Sequence, residues 1–186
     1  MRFTKATNQI STEKHARTLY SQIVVQARRA EFYDACGVPD TLDGRFEMVV
    51  LHTFLVLYQL RQLDDESLGQ ALFDTMFMDM DENLREIGVG DLSVGKRVKQ
   101  MVSAFYGRVA AYETGLSGEE GALEAALERN LYGTVEVKAA ELTAMAAYLR
   151  REATAPSEQG AQVVASGTAS FGPPPIIERN GKEATS

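Results

Sequence analysis

Gly90, Gly95 and Lys96 stand at the spacing of a phosphate-binding loop. The run Gly90-Asp-Leu-Ser-Val-Gly95-Lys96-Arg97 would offer backbone amides and one ammonium to a phosphate. A nucleotide site also needs a Ser or Thr hydroxyl after the lysine to hold magnesium, and Arg97 has none. Such a loop leaves a parallel strand, whereas the residues before this one repeat at helical spacing. Nucleotide hydrolysis is therefore disfavoured, and a loop that satisfies its own backbone is the better reading. A helix start carrying Lys96 and Arg97 would still attract an anion weakly. An enzyme using the Gly88–Lys96 loop on a phosphorylated ligand stays as the lesser alternative.

The other chemistry-bearing residues are thinly spread. Asp79, Asp81 and Asn83 open like a calcium loop, but its sixth position is Leu84 and its twelfth is Gly90, where Gly and Glu are needed. The two histidines, His15 and His52, have no Cys partners at zinc spacing. Cys36 is the sole cysteine, which excludes an intrachain disulfide and reads as a small core residue near a helix end. His52 sits inside an apolar run and reads as a hydrogen-bonded core or lining residue. Ser, His and Asp follow no nucleophile-elbow pattern. No catalytic residue, metal or cofactor is implied. The acidic total and the absence of Trp also disfavour a nucleic-acid binder, DNA included.

The elements that carry these residues are helical. At 186 residues, 45% of them apolar, the chain suits one domain with an appendage. Residues 1–11 read as a flexible start. A first helix begins near Thr12, with Ala16, Leu19, Ile23 and Ala27 on one face. A short piece with Phe32 and Tyr33 stops at Gly37 and Pro39. A second helix starts at Thr41 or Asp43 and is apolar on most sides, which belongs in the centre of a bundle. A third spans 66–87, with Leu68, Leu72, Met76, Met80 and Leu84 in step. A fourth follows a Gly88–Gly95 loop, and Gly115 and Gly118 break its pattern.

Ser117 and Glu120 have capping-box spacing for a fifth helix reaching about Leu131. A last helix covers roughly 135–151 behind Thr134. The expected fold is thus all-α, a single bundle of about six helices over residues 12–152. Residues 153–186, rich in Ala, Ser, Gly and Pro, read as a disordered tail. Its one apolar patch, Phe171, Ile176 and Ile177, is suited to docking on the body or a partner. The longest apolar run, Met48 to Tyr58, is far short of the ~20 residues that cross a bilayer.

Charge is segregated behind a net −7. The chain is basic up to Arg29 and acidic from Asp64 to Asp91. It is basic again from Leu92 to Arg108, with Lys96, Arg97, Lys99 and Arg108 and no acid. Such separation marks binding faces or plain solvated surface. Within this pattern five residues are candidate protein contacts: Arg45, Met78, Asp91, Lys96 and Arg97. Arg45 follows Gly44 at a helix start, where the dipole disfavours a cation, so it needs an internal or external carboxylate. Met78 falls among the acids of its helix, where a flexible thioether suits varied apolar partners. Asp91 is a candidate cap for the fourth helix.

An ordered series of short motifs runs through the middle of the chain. It comprises Gly37-Val-Pro-Asp-Thr, Asp43-Gly-Arg-Phe46, Gly69-Gln-Ala-Leu-Phe73, Met80-Asp-Glu-Asn-Leu-Arg-Glu-Ile-Gly88 and Val89-Gly-Asp-Leu-Ser-Val-Gly-Lys96. In order and spacing this series resembles the ubiquinol–cytochrome c chaperone family, over about Leu19 to Tyr112. The resemblance implies an all-helical, non-catalytic assembly factor for respiratory complex III that handles newly made cytochrome b. It also implies, for mitochondrial members, a small partner chaperone and a place near the ribosomal exit. The expected location in a bacterium is cytoplasmic, peripheral at the inner face of the inner membrane, and mitochondrial in a eukaryote. A ribosome- or membrane-associated helical adaptor is the rival reading.

Overall fold

The computed structural model describes residues 2–63, 65–154 and 166–177. Among them are seven helices: α1 (Arg2–Ala27), α2 (Ala30–Asp34), α3 (Leu42–Arg61), α4 (Glu66–Glu86), α5 (Asp91–Ser117), α6 (Ala122–Asn130) and α7 (Ala139–Thr154). The fold is all-α, and no strand occurs among the described residues.

Helix α3 is the axis. Residues 47–56 are all buried, so this stretch is covered on every face. Thr41 caps it as expected, its hydroxyl accepting from Gly44 N at 3.1 Å. Gly44 is obligatory there, because a Cβ would lie 1.9 Å from the Pro39 carbonyl oxygen. Helix α1 lays Ala16, Leu19, Ile23 and Ala27 against α3 and α4, all fully buried. Helix α5 bridges α4 and α6, and α7 returns to α3. The packing is not simply sequential, since α1 lies chiefly on α4 and α7 on both α6 and α3.

Several boundaries differ from those read in the sequence. Helix α1 begins at Arg2, ten residues before Thr12. In place of a Gly88–Gly95 loop, the helices are joined by Ile87 to Gly90, and Asp91 to Lys96 already form the first turns of α5. The phosphate-loop spelling is therefore wound into a helix, with Ser93 N and Val94 N both donating to Gly90 O. Gly115 does not break α5. It lets α6 approach, since a Cβ there would stand 2.7 Å from Leu123 Cα. Ser117 makes no capping box. Its hydroxyl donates back to Glu113 O, and α6 starts after Gly121 at φ +86°. Helix α7 starts at Ala139, where the Glu141 carboxylate accepts from Lys138 N.

The C-terminal segment docks on the body through Phe171 and Ile177, one of the two placements expected for its apolar patch, and its neighbours expected to be disordered are fastened with it. Residues 166–177 form no helix, yet they are fastened to the body. Gln22 Oε1 accepts from Ala169 N at 2.6 Å, and Glu152 Oε2 accepts from Gly172 N at 3.0 Å. Arg151 donates to Pro173 O. Pro174 is buried, and Phe171 and Ile177 pack on the core, while Ile176 points outward. The remaining tail positions read as disordered, 155–165 and 178–186, lie outside the described residues.

Candidate functional site

His52 is the chemically distinctive group in the core, and its surroundings decide what it does. Its Nδ1 lies 2.8 Å from Met48 O, four residues back on α3. A carbonyl only accepts, so Nδ1 carries the proton. Nε2 must then accept, and the Tyr148 hydroxyl of α7 donates to it at 2.8 Å. That hydroxyl in turn accepts from Gln26 Nε2 of α1, whose second proton goes to Gly172 O. Four segments are thereby joined through one imidazole. Burial holds the His52 pKa down at about 4, so the ring is neutral. With His52 fully enclosed, the arrangement is a structural tie with no face for a ligand. This is the satisfied core histidine that the sequence reading expected.

Cys36 is also enclosed, beneath the C-terminal segment, with its Sγ 3.8 Å from Pro175 O. Burial pushes its thiol up to about 11, so it is no nucleophile at neutral pH. Among the described residues no group of His, Cys, Asp and Glu suits a metal ion.

What the surface offers instead is two grooves, one lined mostly by polar side chains and one aromatic. A groove of about 610 Å³ runs between α1 and α4. Met78, 59% exposed, and Ala71 line it together with Arg17, Glu13 and Asp74. Past Met78 the Tyr20 hydroxyl donates to Asp79 at 2.7 Å and ties the two helices. A second groove of about 170 Å³ lies between α3, α4 and α5, lined by Phe54, Leu57, Tyr58, Phe73, Phe105 and Tyr106. Phe73 stands 5.6 Å from both Phe105 and Tyr106, ring centre to ring centre. An Arg61–Glu113 ion pair joins α3 to α5 at the same groove.

The five sequence-predicted contact residues are not gathered into one site. Arg45 pairs with Asp40 at 2.6 Å, the internal alternative of the two weighed for it. Asp91 opens α5 and pairs with Arg85 of α4. Lys96 and Arg97 are exposed on α5 and form no ion pair among the described residues. Of the five, Met78 lines one of the two grooves described above.

The aromatic groove was not read from the sequence, because Phe73 and Tyr106 lie on different helices and meet only where α4 packs on α5. Nor was the buried pair of Glu47 and Arg108, in which the guanidinium donates to both carboxylate oxygens. An acid inside an otherwise apolar helix was the available signal, since a buried charge requires a partner.

The fold and site thus define an all-helical body with its distinctive titratable groups enclosed and an aromatic groove at its surface. The comparisons give its family. The family model described as "Ubiquinol-cytochrome C chaperone" matches residues 34–171, and the chain belongs to this family. It is similar to the ubiquinol-cytochrome-c reductase complex assembly factor 1 of Xenopus laevis, 24% identical over 139 residues that cover 74% of this chain and 70% of that protein. The human protein of that description is 24% identical over 168 residues, 89% of this chain and 56% of its own length. Protein CBP3, mitochondrial, of Saccharomyces cerevisiae is 27% identical over 107 residues, 55% of this chain and 32% of that protein. The chain thus spans about half of the human relative and a third of the yeast one. The crystal structure of the Cbp3 homolog from Brucella abortus superposes with a TM-score of 0.76 at 32% identity, covering 93% of this chain and 97% of that one.

Proposed function

We propose that this protein is a non-enzymatic chaperone that binds newly made cytochrome b during assembly of the ubiquinol–cytochrome c reductase complex. The observation that carries the reading is the family match over residues 34–171. The surface agrees with it in physical terms. Cytochrome b is a membrane subunit, and its apolar helices must be kept from water before insertion. A holder for such segments needs an apolar or Met-containing concave surface rimmed by polar groups. The groove between α3, α4 and α5 has that form, with Phe54, Phe73 and Tyr106 flanked by Arg61 and Glu113, and Met78 adds one exposed thioether in the mostly polar α1–α4 groove. No described helix is long and apolar enough to cross a bilayer. Contact with the client is therefore assigned to the grooves, with Met78 as a contact residue there, while Lys96 and Arg97, exposed on α5 and lining neither groove, are candidate contacts beside them. Arg45 and Asp91, with internal partners, act there only by exchanging them. A small partner chaperone and the ribosome are further candidate associates. In a bacterium the expected site of action is the cytoplasmic face of the inner membrane.

The test is in-cell photocrosslinking from positions 78 and 106, followed by mass spectrometry of the captured chains. Cytochrome b is expected among them, and its yield should fall in the Met78→Asp protein while helicity is unchanged. Recovery of other proteins but no complex III component from either position would overturn the assignment.

A further inference from the structure

The outward face of α5 is unlike the rest of the surface. Leu92, Lys96, Lys99 and Ser103 recur at helical spacing on the side opposite Val94, Val98, Met101 and Phe105, which face the body, and Tyr106 stands at the flank of this face beside the aromatic groove. Leu92 is 99% exposed and Tyr106 57%. Across the short turn, Ile87 is 66% exposed at the end of α4. From Leu92 to Tyr112 the chain contains no acid, although the whole protein carries −7. The cations on this face are also unspent. Lys96 and Lys99 have no ion pair among the described residues. The neighbouring Asp81 and Asp91 are both held by Arg85, and Arg108 is turned inward onto Glu47. Leu92 and Tyr106 lie about 21 Å apart along the axis at 1.5 Å per residue.

We infer that this face of α5, with Ile87 at its end, docks on an anionic lipid bilayer. Two features choose the bilayer over other polyanions. Lysines beside apolar side chains suit an interface in which ammonium groups meet lipid phosphates while Leu and Ile enter the acyl boundary. A tyrosine at the far end suits the headgroup level. A nucleic acid would use the lysines and gain little from a fully exposed leucine. The inference does not depend on the identity of the client.

The experiment is flotation of the full chain with vesicles of phosphatidylcholine alone or phosphatidylcholine mixed with phosphatidylglycerol. Binding is expected only with the mixed vesicles, and it should weaken with added salt. Each lysine is expected to contribute about fivefold, so K96E/K99E should cut binding more than tenfold. Leu92→Asp should also weaken binding. Because all three side chains are exposed, folding should be unaffected, and circular dichroism checks this. Absence of binding to the mixed vesicles overturns the inference, as does binding that ignores both variants. A wild-type and Leu92→Asp protein that bind vesicles and polyuridylate equally would instead point to a nonspecific polyanion contact and also overturn it.

Discussion

The edge of the Phe171 ring meets the His52 ring at 5.1 Å, almost perpendicular to it. A residue near the C-terminus is thus packed on the most enclosed helix of the body. Both belong to a small aromatic cluster in which Phe32 and Tyr148 also meet edge to face. Such contacts add to the area they bury.

Removal of the C-terminal segment should therefore open the core locally. Truncation after residue 165 is expected to lower stability by roughly 2–4 kcal/mol, chiefly from the loss of Phe171, Pro174 and Ile177 burial. It should also uncover Cys36. The thiol should react with a disulfide reagent on the native timescale in the truncated chain and stay protected in the intact one. Equal reactivity in both would show that the segment does not cover the sulfur.

Stability should fall with acid in the window set by His52. Its pKa is about 4 in the folded chain against an ordinary 6.5, so the unfolded chain binds more protons between these values. The contribution of the neutral ring is complete above about pH 6.5 and is lost progressively as pH falls toward 4, up to roughly 3 kcal/mol. Denaturant midpoints across this range should show the slope, and His52→Gln should flatten it.

Two buried tyrosines should respond in opposite ways to loss of the hydroxyl. Tyr148 donates to His52 and accepts from Gln26, so Tyr148→Phe leaves both partners stranded and should cost about 1–3 kcal/mol. The Tyr112 hydroxyl is buried with no hydrogen-bond partner among the described residues. Tyr112→Phe should accordingly be neutral or stabilising by urea unfolding.

The Glu47–Arg108 pair joins α3 to α5. Arg108→Met strands a carboxylate that is largely removed from water, and burial already raises the Glu47 pKa despite its partner. A loss of roughly 3 kcal/mol is expected. The double variant E47L/R108M should recover most of it, because both charges then disappear together. A double variant as unstable as the single one would show that the pair contributes more than mutual neutralisation.

Much of this was legible in one sequence, for a local reason. Helical periodicity, the Thr41 cap and the all-round apolarity of α3 depend on neighbours a few residues apart, which composition and spacing report. The motif series from Gly37 to Lys96 likewise pointed to the chaperone family, and the match over residues 34–171 agrees with it. Tertiary packing decided the rest. Gly115 reads as a helix breaker until α6 is laid against it, and Gly90-to-Lys96 reads as a loop until α5 is seen to begin at Asp91. The segment 166–177 has the composition of a disordered chain, because its hydrogen-bond partners, Gln22, Gln26, Arg151 and Glu152, lie 20 to 147 positions away. Local sequence fixes which backbone is cheap to form. Only the assembled body fixes which distant groups stand ready to satisfy it.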